Sequence, residues 1–118
     1  MQILKKNFPI VNEEQLILYP ALAAAFGIKE ALILEKLDSL LLTTSISKDG
    51  HKWVKHSYDN WQTHFPFWST KTIERTIRSL EKKGCIVSTI TYNEFLTDKT
   101  KWYRIESEQL ETLFFNER

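Results

Sequence analysis

Residues 57–84 read SYDNWQTHFPFWSTKTIERTIRSLEKKG, and their punctuation marks out two helices with a tight turn between them. Ser57 is a favoured N-cap, and Asp59 falls in the first turn, where a carboxylate suits the helix dipole. Tyr58, Trp61 and Phe65 follow at i, i+3, i+7, so 58–64 is a short amphipathic helix that Pro66 ends. Phe67 and Trp68 make an apolar turn. Ser69 is the next N-cap, and 70–83 is the strongest helix in the chain, stopped at Gly84, a residue at ease in the left-handed conformation.

Placed at 100° per residue, Ile73, Ile77 and Leu80 of that helix share a narrow arc that faces a core. Lys71, Arg75, Arg78 and Lys82 fall on the opposite arc as one continuous stripe. Glu74 and Glu81 lie to one side of it, and Thr72, Thr76 and Ser79 to the other. Residues 67–83 hold five cations, Lys83 included, against two carboxylates, a net +3 within a chain whose total is only +1. The near-neutral average hides one basic element.

Outward from this pair, the predicted elements complete an α+β order. Pro20 suits a helix first turn, and 21–26 is a short helix closed by Gly27. The stretch 28–42 is a clearer helix, with Leu34, Leu37 and Leu41 on its stripe, Ala31, Ile33 and Leu40 beside them, and Glu30, Glu35, Lys36 and Asp38 off it. Asp49-Gly50 signals a turn, and 52–55 a short strand. After Gly84, the β-branched run 85–91 is a strand, 92–99 a polar hairpin tip, 101–105 a second strand and 108–115 a short last helix. On 101–105, alternation puts Trp102 and Arg104 opposite Tyr103 and Ile105, with either face open to burial. Helix, strand, helix, turn, helix, strand, loop, strand is the order of a winged helix-turn-helix, a three-helix core with a small antiparallel sheet as the wing. The expected organisation is a single domain over 1–118, with an N-terminal arm at 1–19, the core at 20–106 and a tail at 107–118.

Composition narrows the function classes. The chain has 118 residues, 42% of them hydrophobic and 13% aromatic, enough for a packed core. A lone Cys85 excludes an internal disulfide and fits a reducing cytosol, which makes the expected location cytoplasmic. No apolar run approaches a membrane span. His51, His56 and His64 lack metal-ligand spacing, and no phosphate loop, nucleophile elbow or metalloprotease motif occurs. No cofactor, metal or enzymatic activity is expected. The four tryptophans, Trp53, Trp61, Trp68 and Trp102, stand among apolar neighbours and are expected to pack rather than to stack on single strands.

The expected partner is double-stranded DNA, with helix 70–83 in the major groove. Ser69 and Lys71 would anchor phosphates, Thr72, Arg75, Arg78 and Ser79 would meet base edges, and Lys82 would return to the backbone. Lys71 opposes the helix dipole where it stands, a cost that a phosphate there would reverse. Lys99 and Lys101 of the wing are further contacts, near Asn93 and Arg104 and offset by Glu94 and Asp98. The plain alternative is a solvated face with i, i+4 links such as Glu74–Arg78. In a protein-interaction winged helix, the stripe would instead meet an acidic protein surface. Phe8, Ile10 and Val11 of the arm offer a route to a homodimer.

The stretches YPALAAAFGIKEALILEKLDSLL (19–41), HKWVKHSYDNWQTHFPFWSTKTIERTIRSLEKKGCI (51–86) and DKTKWYRI (98–105) resemble the N-terminal winged-helix domain of phage and plasmid replication initiators of Gram-positive bacteria, the replisome-organiser or DnaD-like proteins. The resemblance runs from about Leu16 to Ile105. It is most specific over 61–84, where the FPFWS turn precedes the Thr/Ile/Arg helix. It implies origin recognition and recruitment of helicase-loading proteins, with the recognition role on Lys71, Thr72, Arg75, Arg78 and Lys82. Members of that family usually carry a further C-terminal domain. A transcriptional regulator uses the same module and is the near alternative.

Overall fold

In the computed structural model, which describes residues 14–117, Pro20 opens helix α1 (Pro20–Phe26), and Gly27 turns the chain at once into α2 (Ile28–Thr43). Gly27 sits at φ +106° and ψ 155°, a conformation that only glycine adopts without strain, so two helices meet with one residue between them. Two short strands, β1 (Ser47–Lys48) and β2 (His51–Lys52), form a hairpin about Asp49 and Gly50, and β3 (Val54–His56) follows. Then come α3 (Tyr58–His64), α4 (Thr70–Lys82), β4 (Ile86–Thr89), β5 (Lys101–Ile105) and α5 (Ser107–Glu117). The result is an α+β fold, with five helices and two small antiparallel sheets among the described residues. None of these helices is long and apolar enough to cross a membrane.

The larger sheet has the order β3-β5-β4, with Val54 opposite Tyr103 and Ile86 opposite Ile105. Its inner face meets α2, α3 and α4 in one apolar cluster. Ile33, Leu37, Trp61, Phe65, Ile73, Ile77 and Leu80 are fully buried there, and Tyr103 is nearly so. The outer face is covered as well: Trp102 stands edge-on to Tyr92 at 5.4 Å, Tyr92 meets Trp53 at the same distance, and the Arg104 guanidinium lies 5.5 Å from the Trp53 ring. Both faces of β5 are therefore buried, which resolves the open choice between Trp102 and Tyr103.

Cys85 joins the two halves of this core. Its N–H donates to Leu80 O at 3.0 Å, and its carbonyl accepts from Glu106 N–H at 2.8 Å, so the end of α4 is fastened to the end of β5. The side chain is wholly buried, and burial pushes the thiol pKa up.

Several boundaries differ from the expectations. The strand expected at 52–55 is two, broken at Trp53, whose N–H donates to Ile46 O (3.1 Å) and whose indole Nε1 donates to Lys48 O (3.0 Å). The strand expected at 85–91 spans only Ile86–Thr89, because Asn93 N–H folds back to Ile90 O at 3.1 Å. Helix α4 ends one residue early, with Lys83 as its C-cap, and α5 is longer than expected. Lys36, placed off the α2 stripe, is buried and reaches Glu14 at 3.3 Å, a partner that periodicity within α2 does not reveal. Phe8, Ile10 and Val11, and with them the expected dimer contact, lie outside the described residues.

Candidate nucleic-acid interface

The candidate surface is the outer face of α4, and local chemistry sets its position. Ser57 caps α3 in a reciprocal box: Asn60 N–H donates to Ser57 Oγ at 3.0 Å, and Ser57 N–H donates to Asn60 Oδ1 at 2.9 Å. Residues 65–69 then turn the chain. Phe65 and Trp68 stack at 4.9 Å, and Gln62 Nε2 donates to Trp68 O at 2.9 Å, so the turn is pinned from both sides. Ser69 Oγ accepts from Thr72 N–H at 3.2 Å and starts α4.

Along α4, Ile73, Ile77 and Leu80 are fully buried, while Lys71, Arg75, Arg78 and Lys82 are exposed. Arg75, Arg78, Ser79, Lys82 and Lys83 line one shallow depression of about 420 Å³. Arg78 donates to Glu74 at 2.7 Å in an exposed i, i+4 pair that is worth about 0.3–0.5 kcal/mol and gives way easily to a stronger partner. Thr76, on the flank of the stripe, is buried, and its hydroxyl donates to Thr72 O at 2.8 Å. Ser69 and Thr72 are tied to each other, the Ser69 hydroxyl donating to Thr72 Oγ1 at 3.2 Å.

Two flanks frame the stripe. On one, Glu81 accepts from the Ser88 hydroxyl of β4 and stands 3.7 Å from Lys101 Nζ of β5. This carboxylate joins α4 to both hairpin strands. Lys101 is therefore half-buried, with its ammonium also 5.9 Å from the Tyr58 ring, whereas Lys99 is exposed in the loop beyond. The two lysines are thus not alike: Lys99 is available to a ligand, and Lys101 is already engaged. On the other flank, Thr72, Arg75 and Thr76 share a small cleft of about 190 Å³ with Lys29 and Glu30 of α2. Lys29 was missed in the sequence because nothing local places the start of α2 beside α4. Glu81, read as a side-facing surface acid, was missed as the link to the hairpin for the same reason.

The loop 90–100 is braced by Asn93, whose Nδ2 donates to Asp98 O (2.9 Å) and Thr100 O (2.8 Å) and whose Oδ1 accepts from Trp102 Nε1 (2.6 Å). Asp98 accepts from Thr100 N–H and from Lys55 Nζ, each at 2.9 Å, and these contacts hold its carboxyl down at about 2. Among the described residues, no group of three His, Cys, Asp or Glu side chains is arranged to hold a metal ion.

Comparison of the chain with protein-family models, with curated proteins and with solved structures finds no match. The functional reading therefore rests on the residues themselves.

Proposed function

We propose that this chain is a winged-helix reader of duplex DNA, with α4 as the recognition helix in the major groove and the β4–β5 hairpin as the wing. The observation that carries it is the division of α4 into a fully buried apolar arc and an exposed arc of four cations. A helix of this width fits the major groove, where Arg pairs bidentately with guanine and Lys meets phosphate. Lys71 stands in a first turn that holds no acidic residue, and a phosphate there would restore the charge balance of the helix end. Lys29, Lys83 and Lys99 extend the positive field to either side.

The process we propose is replication initiation of the phage or plasmid type, on the resemblance carried by residues 61–84, with helicase-loading proteins as further partners. The test is fluorescence anisotropy on duplexes from the chain's own gene and flanks, over a salt series. About five or six phosphate contacts give a slope of log affinity on log salt near −4 to −6. A folded chain that binds no duplex even at low salt overturns the reading, and the stripe would then face an acidic protein surface.

A further inference from the structure

We infer that the tip of the β4–β5 loop, Phe95–Leu96, is an apolar wedge that enters the minor groove of bound duplex and opens a base step. The inference rests on the DNA-binding reading and adds a deformation of the DNA to it. Phe95 is 69% exposed and Leu96 95%, two large apolar side chains side by side at the end of a hairpin. They add nothing to the core. The loop beneath them is nevertheless built as a frame: Asn93 clamps its two arms, Asp98 N–H donates to Phe95 O at 3.1 Å, and Lys55 holds Asp98 from β3. A slack loop would fold such side chains back onto the protein. This one holds them out.

Placement and charge favour DNA as the occupant. Glu81 of α4 holds Ser88 and Lys101 at the root of the hairpin, so the hairpin that carries the tip is fastened to the helix that bears the cationic stripe. Such a hairpin can reach a minor groove when the helix lies in the major groove. The Asp98 carboxylate is matched by Lys55, and Lys99 offsets Glu94, so the tip enters a polyanion's groove without net repulsion. Phe and Leu are wedge residues of minor-groove binders, which part a base step and kink the duplex by roughly 20–90°. Pyrimidine–purine steps open most readily, so such a wedge selects sequence without a hydrogen bond to any base.

The test uses the full chain. Duplexes tiling its gene and flanks are screened by anisotropy, and the tightest binder is rebuilt with 2-aminopurine at each pyrimidine–purine step and with a dye at each end. At saturation, the wild type should raise 2-aminopurine emission at one step by about twofold or more and shorten the end-to-end distance. Phe95→Ser with Leu96→Ser should remove most of both signals while leaving the thermal midpoint unchanged, since both side chains are exposed. Glu94→Gln should tighten binding and keep the emission rise. Binding without any emission change, or an unchanged signal in the double variant, overturns the wedge alone and leaves the tip as a protein contact. Absence of binding to every duplex overturns the DNA reading and the wedge with it.

Discussion

His56 Nε2 lies 3.1 Å from His64 Nε2, with the two rings stacked 5.3 Å apart. His56 Nδ1 stands 2.8 Å from the Lys55 carbonyl and must donate to it, which leaves its Nε2 as an acceptor. His64 Nε2 therefore faces it as the donor, while His64 Nδ1 stands 2.9 Å from the Glu14 carboxylate, which Lys36 Nζ also reaches at 3.3 Å. Burial holds the His56 pKa below its ordinary 6.5, and the His64 charge adds to the effect. Burial pushes Glu14 up, but the hydrogen bonds and charges of His64 and Lys36 outweigh it and set the carboxyl below its usual range.

The sign of the pH dependence follows. Because His56 has a lower pKa folded than unfolded, its contribution is full above pH 6.5 and is lost as pH falls below that value. The Glu14 contribution disappears further down, below about 4.5. Denaturant titrations between pH 8 and pH 5 should show wild-type stability declining from near pH 6.5, with a smaller decline in His56→Gln, which retains His64. Parallel profiles for the two proteins would refute this role for His56.

Arg75→Ala with Arg78→Ala should weaken duplex binding by more than tenfold, which is about 1.4 kcal/mol or more. Both side chains are exposed, and Arg78 gives up only its surface pair with Glu74, so the thermal midpoint should hardly move. Unchanged affinity for the tightest-binding duplex would show that α4 is not the recognition helix.

Ile77 is fully buried, and Ile77→Asp places an unpaired carboxylate in the centre of the core. The variant should show no cooperative unfolding transition by circular dichroism. Ile77→Ala should fold and lose about 2–5 kcal/mol in urea titration. A well-folded Ile77→Asp protein would mean that the helix is phased differently.

Asn93→Ala strands the buried Trp102 Nε1 and releases two carbonyls across the loop. It should cost about 1–3 kcal/mol, and amide exchange in residues 94–99 should accelerate. A variant with wild-type stability and protection would show that Asn93 does not hold the loop.

What could be read in the sequence was what local spacing encodes. Ile73, Ile77 and Leu80 repeat on one arc, Ser57 and Ser69 sit where a side chain must replace missing backbone partners, and the two helices of the turn follow. The exposed cations of the candidate site come from the same arithmetic. Other features depend on partners far along the chain. Lys36 is buried because Glu14 comes to it, Lys101 is engaged because Glu81 crosses from α4, and Trp102 is covered because Tyr92 and Trp53 close over the outer face of the sheet. The burial of Thr76 on the flank of the stripe is likewise not set by spacing alone, since its hydroxyl is satisfied by the backbone of its own helix.

The buried Cys85, fastened between α4 and β5, gives the protein an internal clock. With one thiol in the chain, each alkylation by a small electrophile counts a single opening of the helix from the sheet. The raised thiol pKa makes the closed form a poor nucleophile, so the closed state is silent and only the open one is tagged. Timing that labelling with and without duplex would reveal whether a ligand on the outer face of α4 is felt at its inner face, some ten ångströms across the helix.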